Sequence, residues 1–491
     1  MESRVIESHS IKTFRENQPE PNFRGYGYDL HKPNIFHWWS HKGNGLEYLY
    51  PIFVNTLTTE ERLKAANPAP SIKITSEPPN HPIHFLYESD ELEKRFSDYF
   101  RQAFKEDLIV HRCAGNEVPL YVGNRPIPEN GEDRISKSYI ERLEKCDLLH
   151  EQGDGMRSFV GVLLRAFISS HSVLLIDEPE AFLHPPQARL LGKMIARDLS
   201  ERQLFLTTHS GDFLKGLLES SKDNLRIIRI ERDNAKNKIS VLNSDDIKSI
   251  WGDSLLRHSN ILDGLFHSKV IVCESDSDCR FYSAILLAIH EDDHSFSPDI
   301  LFIHCGGKHR MPIAIKSLRR LNVDVRVVSD FDVLSDMTPL KQIYEDLGGS
   351  WETISNDWRL VKESIDKMRP ELEKDEIRTK IMSILDSCEK IIPREKTSEI
   401  EKIIRKASAW SKAKEVGKTF IPSGDPTRAY ERLQTQLRER GLHIVEVGEL
   451  ESFCRSVGNH GPKWVNGVLE KDLKSDTELD DARRFVRSLI D

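Results

Sequence analysis

The chain has 491 residues, 38% of them hydrophobic and 30% charged, and a formal net charge of −9. That length supports two or three domains with separate cores, and no run approaches the roughly 20 apolar residues of a membrane span. The negative balance argues against a protein that coats nucleic acid nonspecifically, although carboxylates gathered around bound cations carry the same sign.

Residues 1–50 are rich in Pro, Gly, His, Asn and aromatic residues, as in HKPNIFHWWSHKGNG, and show no helical period. They read as an irregular lead-in, or as the middle of a domain whose opening is absent. IHFLY (83–87) reads as a short strand, and DELEKRFSDYFRQAF (90–104) as a helix capped by Asp90. VPLYVGN is a further strand candidate. From Asp154 the pattern becomes regular: helix MRSFVGVLLRAFISS, strand SVLLID, helix PPQARLLGKMIARDL, strand QLFLTTHS and helix SGDFLKGLL. Such alternation indicates a parallel sheet covered by helices.

LRIIRIER and NKISVLN resemble a β-hairpin closing this first domain, which the sequence sets at 1–243, with a linker at 244–268. Alternation then restarts with strand KVIVCE, helix CRFYSAILLAI, strand DILFIHC, helix MPIAIKSLRRL and strand DVRVVSDFD. The second domain, 269–491, is thus another small doubly wound α/β unit. A charged helical insertion is predicted at about 337–416, after which LHIVEVGELESF supplies its last strand. Seven cysteines stand apart without a C-x-x-C pair. Cys113, Cys146, Cys273 and Cys305 read as small buried hydrophobes. A reducing cytoplasm fits this usage, and MESRVIESHSIKTFRENQ has no secretory pattern.

Two acidic clusters carry the chemistry. The first is VLLIDEPEAFLHP, joined later by FLTTHS. A parallel strand delivers its last side chains to the edge where ligands bind, so Asp177 is placed to hold Mg²⁺ and Glu178 to polarise an attacking water. His209 approaches the γ-phosphate position from the neighbouring strand. Upstream, GDGMRS opens a helix whose backbone N–H groups suit the phosphates of a partner's nucleotide. The same residues also read as a helix cap or a satisfied polar turn when taken singly.

In the second cluster Glu274 ends one strand and Asp278 lies four residues on. Asp330 and Asp332 follow the strand VRVVS, two apart on an extended segment and so pointing the same way. Glu449 and Glu451 follow the strand HIVEV. Carboxylates this close repel unless protonated or bridged by cations, and all-oxygen ligation suits Mg²⁺ or Mn²⁺. Ser329 is placed to hydrogen-bond a phosphate or bound water. The basic stretches Lys308 to Arg310, Lys316 to Arg320 and Lys402 to Lys414 are candidates for a phosphate backbone, or are solvated helix faces.

DEPEAFLHP, a strand ending in TTHS and the preceding GDGMRS resemble the ABC type of ATPase. The likeness is to the branch of chromosome-maintenance and overcoming-lysogenization-defect (OLD) proteins. That resemblance makes Asp177 the Walker B aspartate, Glu178 the catalytic glutamate and His209 the switch histidine, with Gly153, Gly155 and Ser158 in or beside the signature motif. E-x-x-x-D, D-x-D and G-x-L-E resemble a Toprim domain, with Ser275 where that family carries Gly and Gly306–Gly307–Lys308 at its glycine-rich turn. The order of parts, over residues 150–480, resembles the OLD family of ATP-regulated nucleases.

The resemblance implies that Glu274, Asp278, Asp330, Asp332 and Glu451 hold one or two Mg²⁺ or Mn²⁺ ions, with Glu449 as a further metal ligand. Lys463, in NHGPKWV, then offsets charge at the scissile phosphate, and His460 is a weaker candidate for that role. It further implies DNA as substrate, a homodimer or higher assembly, and a role in defence against phage with a possible partner protein. One departure is large: no G-x-x-x-x-G-K-[ST] precedes Asp177. KGNG, GGKH and EVGKTF are each misplaced or incomplete. The expectation is an N-terminally shortened ATPase domain with weak or absent ATP hydrolysis. A noncatalytic regulatory or assembly subunit is the main rival reading, and an ATPase with a vestigial Toprim half a lesser one.

Overall fold

The computed structural model describes residues 11–490 apart from 14–18, 26–27, 41, 74–76, 78, 169–170, 221–223, 234–235, 253–259, 296–297, 369–373, 389–390 and 406–408. The chain divides into two compact units, Met1–Lys222 and Asp223–Asp491.

The first unit opens with an antiparallel meander of Ile11–Thr13 (β1), Asn22–Gly25 (β2) and Tyr28–His31 (β3). Helices Lys32–Ser40 and Lys42–Phe53 follow. The irregular lead-in predicted here is therefore largely regular, because Phe23, Tyr28, Ile35, Leu49 and Ile52 bury together as a small core. Strand Val54–Leu57 (β4) comes next, then Ala69–Pro70 (β5).

IHFLY is helical rather than extended: the helix is Pro82–Glu88, with Pro82 at its start and the His81 ring accepting from the Ile83 N–H at 3.2 Å. Proline at that position gives up only an N–H that no helix uses. The helix Asp90–Phe104 is as predicted, but its cap is Ser89, whose hydroxyl accepts from the Leu92 N–H at 3.2 Å. Strands Asp107–Val110 (β6), Glu117–Val118 (β7), Leu120–Gly123 (β8) and Asp147–Leu148 (β9) form small antiparallel pairings.

Helix Asp154–Val162 leads to strand Val173–Asp177 (β10), helix Pro185–Asp198, strand Gln203–Thr207 (β11) and helix Gly211–Ser220. The parallel sheet runs in the order β11–β10–β4.

The second unit opens with the predicted hairpin, Ile227–Asp233 (β12) and Lys236–Leu242 (β13). Its placement differs from the expected boundary at 243. Arg229 donates to the carbonyls of Leu321, Asn322 and His267 at 3.2, 2.9 and 3.2 Å, which tie the hairpin to this unit. The stretch expected to be a linker carries helix Ser244–Gly252 and the 3₁₀ turn Asn260–Phe266, with 253–259 outside the described residues.

Strands Lys269–Cys273 (β14), Ile300–His304 (β15), Asp324–Ser329 (β16) and Leu442–Ile444 (β17) form a parallel sheet in the order β15–β14–β16–β17. Between β16 and β17 lie helices Met337–Asp346, Trp351–Asp366, Lys374–Asp386, Arg394–Arg405, Ala409–Val416 and Asp425–Glu439.

Phe281, Phe453, Trp464 and Phe485 are buried beside the sheet, with Phe281 and Trp464 ring centroids 5.1 Å apart. The Trp464 indole N–H is satisfied by the Cys454 carbonyl at 3.0 Å. This packing fixes the loop after β17 against the helix Asp276–Ile289. Cys273 and Cys305 are buried as predicted, whereas Cys146 is half-buried and Cys113 exposed. Among the described residues no helix is long and apolar enough to cross a membrane.

Candidate functional site

Glu274 follows β14 directly and Asp330 follows the adjacent strand β16. Ser329 donates its hydroxyl to Glu274 Oε1 at 2.5 Å, and the Asp330 N–H reaches the same oxygen at 3.2 Å. Oxygens of Glu274, Asp330 and Asp332 all lie within 4.8 Å of one another. The expected extended segment is absent, because Phe331–Ser335 is a 3₁₀ turn with Phe331 and Val333 buried. The turn, not a pleat, brings Asp332 round to Asp330.

Burial pushes the Asp330 carboxyl up to about 8, against the pull of the Lys414 ammonium and with repulsion from Glu274. Burial also pushes Asp278 up to about 6, although its carboxylate accepts from the Ser275 N–H at 2.8 Å. Asp278 is thus first a helix-capping residue, paired with Ser275 in a capping box. Ser275 is extended (φ −134°), so this turn does not need a glycine. One oxygen of Asp332, Oδ1, is buried without a hydrogen-bond partner. A buried acceptor left bare among carboxylates that resist ionisation fits an oxygen-seeking divalent cation.

Glu449, Glu451 and His460 form a second group with donor atoms within 4.8 Å of one another. Glu451 Oε1 accepts from the Gly461 N–H at 2.7 Å and lies 3.6 Å from His460 Nδ1. Burial raises the Glu449 carboxyl above its ordinary range, and Glu451 adds repulsion. The two groups are linked through backbone, since the Phe331 N–H donates to the Gly448 carbonyl at 2.8 Å.

Two lysines that the sequence placed in basic stretches, Lys308 also at a glycine-rich turn, lie inside this site. Lys308 Nζ is 3.0 Å from Asp332 Oδ2, and Lys414 Nζ is 2.9 Å from Asp330 Oδ2. Lys463 is exposed on the first turn of helix Pro462–Leu469 and forms no ion pair with these carboxylates. The separation of both ammonium groups from Asp330 and Asp332 in sequence hid them; the glycine-rich turn before Lys308 was the one available signal.

In the first unit, Asp177 ends β10 and accepts a hydrogen bond from the Thr207 hydroxyl of β11. Glu178 has φ 44°, a rare conformation for a side chain of this size, held by its N–H donating to the Thr207 carbonyl at 3.1 Å. His209 Nε2 lies 3.3 Å from Glu178 Oε1. Beneath them Arg62 is fully buried and donates to the Asp177 carbonyl, and to Thr59 Oγ1 at 2.9 Å.

Gly153 begins the helix Asp154–Val162 with open space around it. A Cβ at Gly155 would come within 2.8 Å of the Phe182 carbonyl, a packing reason for glycine there. Ser158 does not line a nucleotide surface. It is fully buried on the inner face of the helix, and its hydroxyl has no partner.

Residues 70–214 match the family described as "AAA domain, putative AbiEii toxin, Type IV TA system". Residues 265–332 match "Overcoming lysogenization defect protein-like, TOPRIM domain". Uncharacterized protein MJECL11 of Methanocaldococcus jannaschii is 36% identical over 97 residues, 19% of this chain and 84% of that protein. A solved structure described as "Structural biochemistry of ATP-driven dimerization and DNA stimulated activation of SMC ATPases" shares 13% identity. Its TM-score is 0.24 over 33% of this chain and 91% of its own. The SmcHead bound to the C-winged helix domain of ScpA shares 13% identity with a TM-score of 0.27, over 38% of this chain and 55% of its own. An AAA domain followed by an OLD-like Toprim domain, with a carboxylate group suited to a metal ion, supports a nuclease or defence-related role. The chain thus carries an AAA domain followed by an OLD-like Toprim domain, an order of parts consistent with the overcoming-lysogenization-defect family.

Proposed function

We propose that this protein is a metal-dependent DNA endonuclease or nickase of the OLD type, acting in phage defence or DNA processing. The observation that carries the reading is the convergence of Glu274, Asp330 and Asp332 at two adjacent strand ends. Mg²⁺ or Mn²⁺ bound there, and a second ion at Glu449 and Glu451, would supply Lewis acidity for hydrolysis of a phosphodiester.

The chain's own residues do the remaining work. Ser329 and the Asp330 N–H hold the Glu274 carboxylate through one of its oxygens. Asp278, whose carboxyl burial raises to about 6, would take or give a proton near neutrality. The exposed Lys463 is available to a phosphate that approaches from solvent. Asp177, Glu178, His209, Gly153 and Gly155 form the nucleotide-facing part of the first unit, an incomplete ABC-type site with weak or absent ATP hydrolysis. DNA is the expected partner, within a homodimer or higher assembly.

The test is incubation of the chain with supercoiled and linear DNA and Mn²⁺ or Mg²⁺, with and without ATP, beside Asp330→Ala. Metal-dependent cleavage that falls about a hundredfold or more in the variant is expected. A wild type that binds Mn²⁺ yet leaves DNA intact in every condition would overturn the nuclease reading in favour of a noncatalytic regulatory subunit.

A further inference from the structure

Helix Ala409–Val416 ends against the two loops that carry the carboxylates. Its Lys414 carbonyl comes so close to Gly448 that a Cβ there would lie 2.1 Å from it. The Glu415 carbonyl accepts from Ser452 Oγ at 2.8 Å, and the Lys418 N–H donates to the Glu446 carbonyl at 2.9 Å. Gly448 is itself bonded to Phe331, between Asp330 and Asp332. The backbone of Lys414 is therefore fixed beside both carboxylate groups, and its four-carbon stem is the part that can swing.

The ammonium now sits 2.9 Å from Asp330 Oδ2, and the lysine side chain is 36% exposed where Asp330 is 18% exposed. A lysine and a divalent ion on the same half-buried carboxylate repel each other strongly at that spacing. The displaced ammonium would remain at the rim, tethered within reach, where a polyanionic strand crosses the site.

We propose that Lys414 exchanges partners: it neutralises Asp330 in the metal-free protein and turns to a backbone phosphate of the bound strand once a divalent cation loads. The phosphate half rests on the nuclease reading above; the metal half does not.

The experiment titrates the full chain with MnCl₂ by calorimetry without DNA, comparing wild type, Lys414→Met and Lys341→Met. Lys341 is a partly exposed lysine on another helix, paired with Glu345. Binding of a labelled duplex in Ca²⁺ is then followed across salt concentrations. Lys414→Met is expected to bind Mn²⁺ about threefold or more tightly, with Lys341→Met unchanged. Its salt slope for duplex binding is expected to fall by about one.

Equal or weaker Mn²⁺ binding by Lys414→Met overturns the exchange, whether or not the wild type cuts DNA. Tighter Mn²⁺ binding with an unchanged slope overturns the phosphate half. A wild type that binds no duplex overturns that half together with the nuclease reading, while tighter Mn²⁺ binding upholds release from Asp330. Lys414→Arg covers the case in which the methionine variant does not fold. Its fork grips a carboxylate more firmly, so Mn²⁺ binding should weaken, and unchanged or tighter binding there overturns the exchange.

Discussion

His443 shows how far a single buried side chain can set the conditions under which this protein holds together. It lies on β17, 2% exposed, with both ring nitrogens lacking a partner and its ring edge-on to Phe485. Burial holds its pKa down to about 3, and the nearby cations Arg326, Arg438 and Lys269 push the same way. Burial likewise lowers His81 to about 4. For both, the unfolded chain takes up a proton first, so their stability is fully present above pH 6.5 and is lost as pH falls toward the folded value. Wild type should therefore lose about 2 kcal/mol more than His443→Leu between pH 7 and pH 5. Denaturant unfolding at the two pH values measures it, and parallel losses in both proteins would refute the assignment. None of this was visible in the sequence, where His443 is one polar residue in an apolar run.

At the scale of elements, the alternation of apolar runs located every strand of the two parallel sheets but β4: β14 and β17 are buried and read as continuous hydrophobic runs, whereas β11 shows the same apolar run while remaining partly exposed. The same signature misled at IHFLY, where buried Ile83 and Leu86 belong to a helix started by Pro82. It also overran β17, which stops at Ile444 before the turn through Gly448. Glu274 and Asp330 were legible as strand ends. Asp332 was legible for the wrong geometric reason, and Lys308 and Lys414 were not legible as site residues, since only the assembled sheet brings them in. The turn after β14 gives a direct test of local chemistry. Ser275 accepts from the Asp278 N–H at 3.3 Å while Asp278 accepts from the Ser275 N–H. Ser275→Ala should cost about 1 kcal/mol, and Ser275→Gly only a few tenths. Chemical unfolding curves that rank glycine below alanine would show that the cap is not what stabilises this turn.

Across the whole molecule, the division into two units means that a ligand of one need not stabilise the other. A cation that binds only the folded second unit should raise its unfolding temperature by roughly 5–10 °C when present at a hundredfold excess over its dissociation constant. Calorimetric scans in Mn²⁺ and in EDTA should show this in one transition, and Asp330→Ala should abolish it. Equal shifts in the variant would place the ion elsewhere. The missing phosphate-loop motif was plain in the sequence, but the buried Arg62 beneath Asp177 was not, because charge and apolar spacing rank it as a surface residue.

The long helical passage between β16 and β17 also has a consequence in time. Asp330 is synthesised about 120 residues before Glu449, a gap of roughly 6–24 s at ordinary translation rates. Lys414 arrives late in that interval. A nascent chain thus presents Glu274, Asp330 and Asp332 before the lysine that later balances Asp330 exists. Metal captured on the ribosome would meet Lys308 at Asp332 but no ammonium at Asp330, whereas metal added to the finished protein meets one at each, so the history of a preparation can set how quickly it loads.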